Sequence, residues 1–148
     1  MKTSNDFEEL FGLLNQNKVR YLVVGGYAYA IHAEPRYTKD IDIFFDRSAS
    51  NVEKLIEVLR IFGFESLQIV PDDLIEPDRV IQLGYPPLRI DLLSSIDGVE
   101  FDGCWNGRTE AKYGNQKMLV IGKDDLIRNK IATGREQDLL DAKKLEKS

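Results

Sequence analysis

The chain has 148 residues, 43% of them hydrophobic and 30% charged, enough to build one compact domain spanning 1–148 with little room for a second. Its formal net charge of −5 gives no global attraction to nucleic-acid phosphates and argues against broad, non-specific nucleic-acid binding. A single cysteine, Cys104, and a single histidine, His32, exclude an intramolecular disulfide and a clustered Cys/His zinc site. The polar, acidic start does not read as a signal peptide, and no apolar run approaches the roughly 20 residues of a membrane span. The expectation is a chain without membrane contact in a reducing, cytoplasmic location.

Taken in chain order, Phe7, Leu10, Phe11 and Leu14 fall at helical spacing and predict an amphipathic helix over 6–15. Tyr21 to Val24 is a short apolar run stopped by Gly25-Gly26, the pattern of a buried strand ending in a tight turn. A short helix over 27–33 follows. Lys39 to Asp46 reads as a strand with Ile41, Ile43 and Phe45 on one face and Asp40, Asp42 and Phe44 on the other. Residues 51–62 form an amphipathic helix with Ser48 or Ser50 as cap and Gly63 as stop.

Two strands are expected at 79–83 and 88–94, joined by Gly84-Tyr85-Pro86-Pro87, with weaker strand signals at 99–101 and 117–121. Asp72, Asp73 and Asp78 read as a solvated acidic loop. Helices at 125–132 and 136–145 close the chain, separated by Gly134. The expected class is α+β, a mixed β-sheet with helices packed mainly on one side, with a core at about 18–95 and C-terminal helices at 123–146.

The chemistry concentrates between Val23 and Phe45, VVGGYAYAIHAEPRYTKDIDIFF. Asp40 and Asp42 lie two apart on a strand, so both carboxylates face one side while Ile41 and Ile43 anchor the other. Like charges held this close repel unless a cation lies between them, and strand-mounted carboxylates suit hard ions such as magnesium. Asp91 is an acid inside the apolar strand Leu88-Arg89-Ile90-Asp91-Leu92-Leu93. If that strand pairs beside the first, three carboxylates form a seat for two metal ions roughly 3.5–4 Å apart, as in-line phosphoryl displacement uses. Gly25-Gly26 lets backbone amides approach a ligand at a helix start, an arrangement that favours a triphosphate.

The order strand, Gly-Gly, short helix, Arg36-x-Thr38-x-Asp40-x-Asp42 and a distant Asp91 resembles the nucleotidyltransferase superfamily with the DNA polymerase beta-type fold. It is most similar to the minimal, toxin-like AbiEii-type branch, well over Val23 to Asp91 and more loosely in the C-terminal helices. The resemblance implies Mg2+, two ions with Mn2+ as a substitute, held by Asp40, Asp42 and Asp91, with Asp91 also helping to activate the acceptor hydroxyl. It implies Gly25 and Gly26 around the β- and γ-phosphates, and transfer of a nucleoside monophosphate from a nucleoside triphosphate to a hydroxyl with release of pyrophosphate. Many superfamily members carry Gly-Ser at the turn; Gly26 here leaves one hydroxyl contact to phosphate missing.

Arg36 offers a planar fork for phosphate or is a surface arginine, and Thr38 holds the loop or the nucleotide. In the segment Lys130 to Asp141, the resemblance places Lys130 near the nucleotide, where it would neutralise triphosphate charge; a helix-surface lysine is the alternative. Arg135, Asp138 and Asp141 read as a structural ion-pair set. His32 reads as a helix-surface residue, Trp105 as loop packing, and Tyr27 and Tyr29 as core. The expected partners are a nucleoside triphosphate and an acceptor that is RNA, protein or a small molecule, with an antitoxin or a second copy of the chain as further possibilities. The alternative function is a catalytically degenerate nucleotide-binding or protein-interaction module.

Overall fold

The computed structural model describes residues 5–64, 68–85 and 88–148. Helix α1 (Asn5–Gln16) precedes strand β1 (Tyr21–Val24), which runs without a linker into α2 (Gly25–His32). Then follow β2 (Asp40–Phe45), α3 (Ala49–Leu59) and the short α4 (Asp72–Ile75). After these come β3 (Val80–Tyr85), β4 (Leu88–Leu93), α5 (Phe101–Asn106), β5 (Thr109–Tyr113), β6 (Gln116–Val120), α6 (Lys123–Thr133) and α7 (Glu136–Glu146).

The strands form one six-stranded sheet in the order β3-β4-β2-β1-β6-β5. It is mixed: β2 pairs parallel with β4 and β1 parallel with β6, while β1–β2, β3–β4 and β5–β6 are antiparallel. The α+β expectation holds. Tyr21 to Val24 are all buried, so the strand beside the glycine turn lies at the centre of the sheet.

Tyr21 stands opposite Phe45 and shares its sheet face; Phe11 of α1 packs on that Tyr21 ring at 5.9 Å. This face, with Ile41 and Ile43, is the main core. Asn51 at the start of α3 is buried and ties that helix down: its amide donates to the carbonyls of Arg20 and Asp46 and accepts from the Arg20 N–H. Ser48 precedes α3 without a side-chain cap bond. The helix widens at its end into a π-helical turn over Arg60–Phe64, kinked at Gly63 with φ 114°.

Several local expectations shift. The predicted strand at 99–101 is an isolated bridge between Ile96 and Val99, and α5 starts at Phe101. Phe101 is held there by Phe44 at 5.1 Å and by the stacked Trp105 at 5.8 Å, so tertiary contact overrides a short apolar run. Trp105 is therefore a helix residue. Asp72 and Asp73 open α4, whose Leu74 is buried, and do not lie in a loop. Strand β3 continues through Gly84 and Tyr85; the Pro86-Pro87 part of the expected turn lies outside the described residues.

Candidate active site

The site is assembled by strand register. Asp42 of β2 and Asp91 of β4 are paired in parallel register, so their side chains rise from the same face in adjacent positions. Asp40 lies one step along that face and pairs with Arg89. On the other flank Val24 pairs with Asp42, which brings the first residues of α2 onto the same spot. The three sequence-predicted carboxylates thus share a face at the centre of the sheet, with Asp91 on the same side as the earlier pair.

Both glycines of the turn make way for side chains of this cluster. Gly25 has φ 67°, and a β-carbon there would collide with Asp42 Oδ2 and lie 3.2 Å from Cγ. A β-carbon on Gly26 would collide with the Thr38 methyl and lie 3.3 Å from Thr38 Cβ. The turn is therefore packed on Asp42 and Thr38, and Thr38 holds the incoming loop against the start of α2.

Burial, then the Asp91 and Asp40 carboxylates beside it, pushes the Asp42 carboxyl up to about 6. Arg89 is a member of the cluster that the sequence reading omitted. Its Nη2 lies 3.2 Å from Asp40 Oδ2 and 3.5 Å from Asp91 Oδ2, and its Nε is 3.4 Å from Asp91 Oδ1. That last approach lacks hydrogen-bond geometry, which leaves Arg89 Nε and Asp91 Oδ1 buried without a hydrogen-bond partner. The signal for Arg89 was present in the sequence: two residues before Asp91 on a strand means the same face.

Among the described residues, no three His, Cys, Asp or Glu side chains are gathered as a ready cation cage. Asp42 and Asp91 are side by side, whereas Asp40 is turned to Arg89. The donor set nonetheless fits a divalent cation: all its members are hard carboxylate oxygens, one of them is a buried orphan, and the strongest raised carboxyl sits between two others.

Arg36 and Lys130 belong to a second group. The Arg36 fork donates to both oxygens of Asp141, at 2.8 and 2.7 Å, and its plane lies 3.9 Å over the Tyr29 ring. Lys130 Nζ donates to Asp141 at 3.0 Å and to Asp138 at 3.2 Å. Asp138 also accepts from Arg135 and Thr133. Asp141, with a side chain only 1% exposed, is the hub. Burial acts to raise its carboxyl, and the hydrogen bonds from Arg36, Lys130 and Gln137 outweigh that and hold it well below the usual carboxylate range. The structural reading of Arg135, Asp138 and Asp141 matches this network, which fastens the loop before Thr38 to α6 and α7. His32 Nε2 lies 2.7 Å from the Ile121 carbonyl, tying α2 to the strand beyond β1.

Further along the acid-bearing face, past Phe44, lies a cavity of about 460 Å³ whose walls include Asp46, Arg47, Asp97, Glu100 and Phe101. No helix among the described residues is long and apolar enough to cross a membrane.

Solved structures share this fold, two of them as follows. One is a Thermotoga maritima protein described as a candidate nucleotidyltransferase, with TM-score 0.61, 19% identity, and 95% of this chain and 88% of that one covered. The other is the lincosamide antibiotic adenylyltransferase LnuA with lincomycin bound, with TM-score 0.54, 19% identity, and 97% and 96% covered. At this identity the likeness speaks for the fold alone. No curated protein matches the chain in sequence. The profile of the family described as "nucleotidyltransferase of unknown function (DUF6036)" matches residues 2–146, nearly the whole chain, and the protein belongs to that family.

Proposed function

We propose that the protein is a divalent-metal-dependent nucleotidyltransferase that moves a nucleoside monophosphate from a nucleoside triphosphate to a hydroxyl acceptor and releases pyrophosphate. The observation that carries this reading is the in-register pair Asp42–Asp91, with Asp40 on the same face and the Gly25 turn packed against Asp42. When bound, Mg2+ or Mn2+ supplies charge neutralisation at the transferring phosphate.

The chain's own residues divide the remaining work. Asp40, Asp42 and Asp91 hold the cations. The positive-φ turn at Gly25 and the amides that open α2 receive the triphosphate, where the helix start adds partial positive charge. Asp91 lies on the far side of Asp42 from this turn, so the acceptor hydroxyl would approach over β4. Asp91 takes up the hydroxyl proton. Arg36 and Lys130 act on the nucleotide through the loop they fasten.

We favour a small hydroxyl-bearing acceptor. The cavity beyond Phe44 lies on the same sheet face and is of ligand size, and the fold is shared with an adenylyltransferase whose structure holds an antibiotic. RNA or a protein, as a toxin-type enzyme would use, are the competing acceptors.

The test is incubation with each α-labelled nucleoside triphosphate, Mg2+, and in separate reactions lincomycin, cell RNA and cell protein. The expected result is label on an acceptor and free pyrophosphate, both abolished in Asp42→Asn with an unchanged circular dichroism spectrum. Full transfer by that variant, or release of orthophosphate in place of pyrophosphate, overturns the proposal. Nucleotide binding without any transfer leaves the degenerate binding module as the function.

A further inference from the structure

Arg89 occupies an unusual position for a cation-binding cluster. It is itself a cation, mounted on the same sheet face as the acids, in register with Asp40 and two residues from Asp91. One guanidinium nitrogen lies between the two carboxylates, 3.2 Å from Asp40 and 3.5 Å from Asp91. The contact satisfies charge but not geometry, since Arg89 Nε and Asp91 Oδ1 stay buried without a hydrogen-bond partner. It also engages Asp40, and among the described residues the three carboxylates do not form a ready cage.

We propose that Arg89 is a built-in counter-ion which a divalent cation must displace, so that cation entry and release of the guanidinium from Asp40 and Asp91 are a single exchange. The proposal rests on the metal site of the nucleotidyltransferase reading and adds a competitor to it. An unshielded cluster of three carboxylates would repel itself, and Arg89 relieves this at the cost of weakening affinity for the ion. By linkage, whatever holds Arg89 in place lowers cation affinity by the same factor that the cation loosens Arg89.

The test measures Mn2+ binding directly, by the loss of the free-ion electron paramagnetic resonance signal, without nucleotide. Arg89→Met is expected to bind Mn2+ at least tenfold more tightly than the wild type. Arg89→Lys, which keeps the charge and loses the fork, is expected to fall between them. Melting gives a second readout: in EDTA Arg89→Met melts below the wild type, and saturating Mn2+ closes the gap. Equal Mn2+ affinity in the wild type and Arg89→Met overturns the exchange while leaving the metal site standing. An Arg89→Lys affinity equal to wild type beside a tighter Arg89→Met reduces the effect to long-range charge and likewise overturns it. Absence of Mn2+ binding in all three proteins removes the metal site itself, and the exchange with it.

Discussion

Asp42 carries the strongest electrostatic tension at the site, and it has a measurable consequence for stability. Its folded carboxyl is pushed up to about 6, against about 3.9 in an unfolded chain. The folded protein therefore binds a proton more readily than the unfolded one, and stability falls as pH rises. The penalty is absent below pH ~4, grows between ~4 and ~6, and is complete above. Removing the charge removes the penalty. In EDTA, Asp42→Asn is expected to be about as stable as the wild type near pH 4 and more stable by about 2 kcal/mol at pH 7, by urea unfolding. A constant difference across that range would refute the assignment.

At the scale of elements, the α6–α7 hairpin is fastened to the site loop by buried ion pairs. Lys130 and Asp141 have side chains only 7% and 1% exposed, and Arg36 is half-buried over Tyr29. Removing the hub strips the Arg36 fork of both its carboxylate contacts and leaves the buried Lys130 with Asp138 alone. Asp141→Ala is expected to cost about 3–5 kcal/mol in urea unfolding, while Glu57→Ala, which breaks an exposed pair between α3 and the π-helical turn after it, leaves the urea midpoint unchanged.

Legibility also varies by element. Periodic segments such as α1, α3 and the strands β1, β2 and β4 were readable because burial imposes their spacing. Strand β5 was not: Glu110 and Lys112 point outward and only Tyr113 is buried, so an edge strand looks like polar coil. Helix α5, FDGCWN, is a single short turn-and-a-half whose apolar residues Phe101, Cys104 and Trp105 at i, i+3 and i+4 are too few to stand out in the sequence, and it is held by Phe101 packing on Phe44 and Trp105. The three acids and the glycine turn were legible because period-two geometry and chain order suffice. What sequence withheld was partner choice: Arg36 and Lys130 looked like free cations, and only the fold shows Asp141 between them.

Over the whole molecule, strands from both halves of the chain interleave. β6, from residues 116–120, lies beside β1 at the centre, and β3 and β5 form the edges. The first helix packs on the sheet through Phe11, and α6–α7 is fastened through Arg36 to the loop that leads into β2. Such a chain has no natural place to divide, so unfolding is expected in one cooperative step. Trp105 fluorescence and far-ultraviolet circular dichroism should give coincident urea transitions. Separate midpoints would mean that the C-terminal helices form an independent unit.

The close approach of Thr38 to Gly26 reaches beyond packing. With the threonine methyl filling the space beside residue 26, a serine there is shut out as long as position 38 keeps its branch. Thr38 instead presents its own hydroxyl, whose oxygen lies 4.0 Å from where that serine's β-carbon would stand. The two positions thus compete for one space: in this chain a side chain at position 26 and the threonine methyl at position 38 cannot both stand where they are, so Gly26→Ser is expected to be tolerated better beside Thr38→Ser than alone.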